Sequence, residues 1–435
     1  MKLNLPEGIV AVFKKSACTG LIAFLLVALC SEAQVYTEKQ TRHRFAQLNL
    51  GLDYQVSNGG STSYLNTQGV IEELELGALQ KPRILIGGTH FWGHADFYIA
   101  IPIWYPSFES EGQEIDFSTG VETVLKYYPL RIKHNRVRPF IGAALAPFNY
   151  EQSNQHFTFG NGPELNHTSI PLLAGLTFNR HNWLIELSAL WNYDNRRNYF
   201  VAPRHEVHVT TPPLYFSLSG RYMIETTLSA EDGWESGETA ELTEKLAQGG
   251  NLNAFYVAAG MSSAFWIGSS SYNESLRPYI EKYSTSIMPE LGIGYYLHKP
   301  DMNISMSYRG YRTTTDAYGT EQFLRRRSVG LEVTKFLWDY HGFVPFIGPV
   351  ATYENLKFRE DNAGITLLDL EESSLSYGLT FGWDIRPNRL QSWILRTNLR
   401  WFPDLEMDVA GGNSIVFDNI EFNFIQLVVF PGRMF

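Results

Sequence analysis

Two segments bracketed by tryptophan set the terms for what this chain can fold into. From Trp393 to Trp401 one face carries Trp393, Leu395, Thr397, Leu399 and Trp401, and the other carries Ile394, Arg396, Asn398 and Arg400. From Trp183 to Trp191 the faces are Trp183, Ile185, Leu187, Ala189 and Trp191 against Glu186 and Ser188, with Asn192 just beyond. Successive side chains of a strand point to opposite sides, so both segments read as strands. Leu375, Tyr377, Leu379 and Phe381 opposite Ser374, Ser376, Gly378 and Thr380 repeat the pattern. The small and polar face has too little apolar volume to build a water-excluding core. The arrangement therefore predicts apolar side chains outward and polar ones inward, with Trp at both edges of an apolar layer.

Composition agrees with many short strands. Aromatic residues make up 14% of the 435 residues, with 24 Tyr, 28 Phe and 10 Trp, alongside 36 Gly. After residue 33 no apolar run approaches the roughly 20 residues that a membrane-spanning helix needs, which excludes a helical membrane protein.

An internal repeat organises these strands. Pro139-Phe140-Ile141-Gly142 recurs as Pro345-Phe346-Ile347-Gly348, and Gly175-Leu176-Thr177-Phe178 as Gly378-Leu379-Thr380-Phe381. Trp183 and Trp191 answer to Trp393 and Trp401, and weaker anchors keep the same order. Alternation bounded by turn residues predicts eight strands in each repeat. In the first they are Phe45 to Tyr54, Pro82 to Phe91, Asp96 to Ile103, Phe117 to Tyr127, Val137 to Tyr150, Ser169 to Phe178, Asn182 to Tyr193 and Leu214 to Met223. In the second they are Phe255 to Ile267, Met288 to Leu297, Met302 to Arg309, Arg327 to Leu337, Gly342 to Tyr353, Ser373 to Trp383, Ser392 to Phe402 and Glu421 to Arg433. Tight connections such as Trp92-Gly93-His94 and Asn179-Arg180-His181 alternate with long polar ones such as Gln55 to Lys81 and Asp194 to Pro212. Short turns at one end and long loops at the other predict an up-and-down barrel with its short side in the periplasm.

The expected organisation is a cleaved export signal over 1–33, a first repeat over 34–224, an acidic periplasmic linker over 225–250 and a second repeat over 251–435. Lys14 and Lys15 lead into an apolar stretch from Ala17 to Leu29, and Ser31-Glu32-Ala33 offers small residues for cleavage before Gln34. Both cysteines, Cys18 and Cys30, fall inside this segment. Neither a disulfide nor a thiolate is then expected in the mature chain. Losing three lysines and two glutamates moves the formal charge from −10 (35 minus 45) to −11 (32 minus 43), so nucleic acid is not an expected partner. In the linker, Glu235 to Ala247 is predicted as a short helix stopped by Gly249-Gly250.

With these features the chain resembles bacterial outer-membrane β-barrels, particularly the small eight-stranded proteins of the outer-membrane protein A and X type, once per repeat. The end, Phe430-Pro431-Gly432-Arg433-Met434-Phe435, is similar to the terminal strand that finishes on an aromatic residue in that group, with Pro431 a departure from its pattern. The resemblance implies an outer-membrane location, Phe435 as the signal read by the barrel-assembly machinery, and outer-membrane lipid and lipopolysaccharide as surroundings. It implies no single activity.

The expected fold class is all-β: a transmembrane antiparallel up-and-down β-barrel of about 16 strands. Arg83 aligns with Glu290 and Glu186 with Arg396 between the repeats. That exchange of charge suits two half-barrels facing across one lumen and favours a single sixteen-stranded barrel; two eight-stranded barrels are the alternative. The expected lumen-lining residues are Arg83, Glu122, Glu186, Glu290, Glu332, Arg396 and Arg400, and the expected interfacial aromatics are Trp183, Trp191, Trp393 and Trp401. Porin-like passage of small polar solutes leads the functional expectations, against a closed barrel that displays loops or supports the envelope. His90, His94 and Asp96 straddle a predicted turn and read as turn residues, not metal ligands. His205 and His208 have no serine and acid at a catalytic spacing, so no enzymatic activity, metal or cofactor is expected. Arg325-Arg326-Arg327 and the pair Arg196 and Arg197 lie at the outer ends of strands, where cations could meet lipopolysaccharide phosphates.

Overall fold

A computed structural model describes residues 44–434 apart from 67, 105–106, 111–112, 155–161, 226–237, 265–269, 281–286, 387–391, 404 and 418–419. The expected signal segment, its cleavage site and Phe435 lie outside the described residues.

Sixteen strands build two rings, not one. The first ring contains β1 (Ala46–Ser57), β2 (Leu79–His90), β3 (Ala95–Pro102), β4 (Glu122–Tyr127), β5 (Arg136–Asn154), β6 (Leu172–Arg180), β7 (Trp183–Trp191) and β8 (Leu214–Glu225). Each pairs antiparallel with its neighbour, and β8 returns to β1, with Leu50 opposite Tyr222 and Asp53 opposite Ser219. The second contains β9 (Ala254–Ala264), β10 (Ile287–Leu297), β11 (Met302–Ala317), β12 (Thr320–Phe336), β13 (Phe343–Asn362), β14 (Ile365–Ile385), β15 (Trp393–Trp401) and β16 (Ile420–Val429). It closes where β16 pairs with β9, Gln426 opposite Gly260. The single sixteen-stranded barrel is thus corrected to two eight-stranded ones. Closure comes from the ladder between β1 and β8, and the charges agree with it: Arg83 and Glu186 find their partners within the first ring, Glu290 and Arg396 within the second.

Outside faces are apolar all round. Leu50, Leu187 and Leu218 on the first barrel and Leu291, Leu331 and Leu375 on the second are each more than half exposed. An apolar surface this continuous is stable against hydrocarbon, not against water. Trp183, Trp191, Trp393 and Trp401 all point outward at the ends of β7 and β15.

Register refines the repeat. Phe140 sits opposite Gly175, and Phe346 sits opposite Gly382. A Cβ on either glycine would come within 2.6 Å of the facing ring's Cζ, so each glycine makes room for a phenylalanine lying across the neighbouring strand. The structural counterpart of Gly175 is therefore Gly382, four residues past the glycine that the matching tetrapeptide picks out.

Two strand ends also differ from expectation. Phe117 to Tyr127 is two strands, Gln113–Thr119 and β4, separated at Gly120-Val121. The last strand ends at Val429, where Pro431 begins a single 3-10 turn over Pro431–Arg433, as a residue without an N–H to offer the ladder must. In the linker, helix α1 (Glu238–Gln248) ends at Gly249 and at Gly250, whose φ of 69° suits glycine.

The outer ends are built differently in the two barrels. On the first, hairpins Ser61–Leu65/Ile71–Glu75 and Arg196–Ala202/His205–Thr210 join into a separate four-stranded sheet. Together with Gln113–Thr119 and Leu165–Ser169, which pair with the outer half of β5, it encloses Ile115, Phe117, Tyr150, Leu165, Tyr199 and Val209. On the second, β11 to β14 simply continue upward as a wall and turn back tightly at Tyr318-Gly319 and Ala363-Gly364. Helix α2 (Ser271–Leu276) and the hairpin Glu406–Val409/Asn413–Val416 pack inside that wall on Tyr311, Leu324, Leu356 and Phe358. Because the chain after Trp401 folds inward, β14 from Ile365 to Gly378 pairs only with β13 among the described residues.

The barrels touch at both ends. At the short-turn end Phe45, Phe91 and Trp92 meet Tyr340, His341 and Phe343, with the Phe45 and Tyr340 rings 5.7 Å apart. Phe91 and Trp92 hold φ of 54° and 56°, a left-handed conformation that costs bulky residues about 1–3 kcal/mol each and that this packing offsets. At the outer end Tyr318 Oη donates to the Phe200 carbonyl at 2.8 Å.

Candidate functional site

Period-two alternation turns one side chain in two into each lumen, so the strands deliver a stack of polar groups to a space that water would otherwise fill. In the first barrel, toward its outer half, Arg83 Nε and Nη2 donate to the two Asp53 carboxylate oxygens at 2.8 and 2.5 Å, and its Nη1 donates to Glu122 at 2.5 Å. Lys81 stands 3.7 Å from the same Glu122, and Ser217 donates to Asp53 at 2.8 Å. One layer lower, Arg221 donates to Asp96 at 3.0 and 2.6 Å and to Glu186 at 3.3 Å, while Lys126 pairs with Glu186. Tyr128 and Thr177 also donate to Glu186, at 3.2 and 3.3 Å.

The second barrel repeats the device with arginine throughout. Arg309 and Arg326 clamp Glu421, and Arg326 also holds Glu354 at 2.9 Å. Below them Arg400 reaches Glu290 at 2.9 and 2.7 Å and Glu332 at 2.7 Å. Ser262, Asn423 and Gln426 complete the shell around Glu290 at 3.0 to 3.1 Å. Toward the short-turn end Arg396 and Arg386 share Asp384. Arginine suits these positions because its planar fork bridges two carboxylates with fixed geometry.

Arg83, Glu122, Glu186, Glu290, Glu332, Arg396 and Arg400 all point into a lumen and all are buried. Sequence reasoning missed their partners Lys126, Arg221, Asp384 and Glu421, and the neighbouring pair of Arg326 with Glu354. Strand parity marks them: Lys126 lies two and four residues from the inward Val124 and Glu122, and Arg221 lies two from Ser219.

Layers of apolar side chains flank the charges. In the second barrel Tyr256, Tyr296, Phe336, Phe346 and Phe430 fill the short-turn end, and the Arg386 guanidinium lies 4.2 Å from the Phe336 ring centre. The void among Tyr256, Glu290, Glu332, Arg396 and Arg400 measures about 20 Å³, and the one beneath the first barrel's cap, lined by Lys81, Glu122 and Asn192, about 30 Å³. Each has room for about one water molecule. Every described layer of both lumens is occupied by protein.

The histidines do not converge. Asp96 belongs to the lumen network through Arg221, His94 Nδ1 lies 2.8 Å from the Tyr128 carbonyl on the turn, and His205 and His208 stand on the exposed face of the first cap. No group of three or more potential metal ligands occurs among the described residues.

Carboxylates gather where the two caps meet. Glu151 of β5 is pushed up to about 7, chiefly by burial and then by Asp316 of the second barrel, Glu164, Asp116 and Glu114. Burial also raises Glu164.

No family model and no curated protein matches the chain. Among solved structures it is similar to Neisserial surface protein A, at 15% identity over 41% of this chain and 95% of that one, with a TM-score of 0.26. The COG4313 outer membrane channel from Pseudomonas putida F1 aligns over 88% of this chain and 95% of that one, at 10% identity and a TM-score of 0.20. A Pseudomonas aeruginosa FadL homologue aligns over 88% and 89%, at 10% identity and a TM-score of 0.19. The second of these is an outer membrane channel by name; at such scores the barrel reading rests on this chain's own strand pairing and surface.

Proposed function

We propose that this chain is an integral outer-membrane protein of two closed barrels standing side by side, and that it works as a structural or interaction protein displaying two folded outer caps. The membrane placement is supported by the apolar belt bounded by tryptophan and by the polar, filled interior. One observation carries the closed reading: both lumens are crossed by layers of mutually paired charge, and the voids beside those layers measure about 30 and 20 Å³. Eight strands give an interior that side chains just fill. Porin-like passage of small polar solutes, the other reading, requires pulling these pairs apart. Removing one partner of a buried pair costs about 3–5 kcal/mol, and several layers lie in series along each barrel.

The caps are what remains for function. Each has its own apolar core, so each presents a fixed surface and not a floppy loop, and among the described residues the second leaves the Ile365 to Gly378 edge of β14 without a neighbouring strand. The test is conductance in planar bilayers. Protein whose insertion is verified is expected to leave the membrane at baseline, and stable ohmic steps from wild-type protein would overturn the closed reading in favour of a pore.

A further inference from the structure

The outer wall of the second barrel carries three adjacent cations that its own strands neutralise at one side only. Going up the outward face of β11 to β14, Tyr308, Val329, Tyr353 and Leu375 stand side by side as the last apolar row. One pleat higher is Gly310, Arg327, Asn355 and Ser373, and the next row is Arg312, Arg325, Lys357 and Glu371. Arg312 is therefore directly opposite Arg325, and Arg325 directly opposite Lys357. Like charges facing each other across strands are destabilising, and three adjacent cations need an anion between them. The protein supplies two at one side only. Arg325 Nη2 lies 3.0 Å from Glu371 Oε1, and Lys357 Nζ lies 2.9 Å from Asp369 Oδ1. Arg312 and Arg327 are exposed and have no carboxylate partner among the described residues, and Arg325 Nε has no acceptor.

We propose that Arg312, Arg325 and Arg327 form a binding site for the phosphorylated headgroup of an outer-leaflet lipid, whose acyl chains lie down the wall over Tyr308, Val329 and Tyr353. The inference rests on the membrane reading above and deepens it. Two features select this occupant over a soluble anion. A strand rises about 3.4 Å per residue, so along their strands Arg327 lies about 7 Å and Arg312 about 14 Å beyond the apolar row, and with a barrel strand tilt of about 40° these are heights of about 5 and 10 Å, where a headgroup sits over its chains. The site is also continuous with that apolar surface, so phosphate and hydrocarbon are recognised together. Guanidinium groups bind phosphate oxygens in pairs, and Arg327 and Arg312 bring unspent donors from two neighbouring strands.

The experiment uses full-length protein folded in detergent and incubated with lipopolysaccharide carrying its lipid phosphates, with retained molecules counted by native mass spectrometry. Wild-type protein is expected to retain the lipid, the double variant Arg312→Gln/Arg327→Gln at least tenfold less, and Glu371→Gln more, because it releases Arg325. Dephosphorylated lipopolysaccharide is expected to be lost from all three, and millimolar inorganic phosphate is expected not to displace the intact lipid. Equal retention by wild type and double variant, or of the dephosphorylated lipid, overturns the site. Displacement by inorganic phosphate reduces it to a free-anion site and overturns the lipid assignment. Both arginines are exposed, so bilayer insertion of the variants serves as the control: wild type that inserts without discriminating refutes the site alone, and wild type that never inserts refutes the membrane reading itself.

Discussion

The first barrel spends its extra residues on a cap made from loops, whereas the second spends them on lengthening four of its strands. Both are eight-stranded and closed, and both invert the soluble arrangement of apolar and polar faces. Their interiors solve the same problem with different chemistry. The first mixes lysine and arginine with aspartate and glutamate around Arg83 and Arg221, and the second relies on arginine at Arg309, Arg326, Arg396 and Arg400. What is held in common is parity and closure; the identity of each ion pair is free to change so long as its partner lies in the same ring. That is why aligning Arg83 with Glu290 suggests a shared lumen that the pairing does not support.

The largest effect expected from this comparison comes from removing one arginine per barrel. Arg221→Ala strands Asp96 while Glu186 keeps Lys126, and Arg400→Ala strands Glu290 and Glu332, each costing about 3–5 kcal/mol. If the rings are independent, each variant lowers the unfolding midpoint of its own barrel and leaves the other, read by limited proteolysis across a urea series. A single shared transition in both variants would break the comparison.

A smaller effect is expected where the barrels meet. Tyr340→Ala removes edge-on contacts with Phe45 and Trp92, worth about 0.5–1.5 kcal/mol for an aromatic pair. It should raise hydrogen exchange in the Phe91 to His94 turn while both barrels keep their own stability. Unchanged exchange would mean that the turn is held by its own barrel alone.

The smallest expected effect is on pH. Glu151 holds its proton to about pH 7 in the folded protein against about 4.5 when unfolded. Between these values the folded state binds more protons, so its stability falls as pH rises through the window and is lower above it. After allowance for solvent screening the change is at most about 1 kcal/mol. The caps should therefore resist protease better at pH 5 than at pH 8, and Glu151→Gln should abolish the difference; a pH dependence that survives the substitution assigns it elsewhere.

Much of this architecture is legible in the residues themselves. Alternation with Trp at the edges marks β7 and β15, and every one of the sixteen barrel strands overlaps a segment expected from period two. Strand length in the second barrel is not legible: beyond Arg309 the outward residues become Arg312, Thr314 and Asp316, and above the apolar belt the apolar signal stops while the ladder continues to Ala317. Ring number is hidden for a different reason. Whether β1 pairs with β8 or with β16 is a contact between distant residues whose local patterns are the same in either case. The filled lumen is half legible, since parity places Lys126, Arg221 and Glu421 inward but does not say which carboxylate each one meets.

The account stands on β1 closing against β8, and engineered disulfides test that contact most directly. Leu50 and Tyr222 are exposed register partners, close enough across an antiparallel pair for a disulfide. In protein spanning residues 34–435, which has no cysteine of its own, Leu50→Cys/Tyr222→Cys is expected to oxidise to a cross-linked species of altered mobility, and Leu50→Cys/Leu427→Cys is expected to stay reduced. Cross-linking of residues 50 and 427 with none between 50 and 222 would place β1 beside β16 and contradict the two closed barrels.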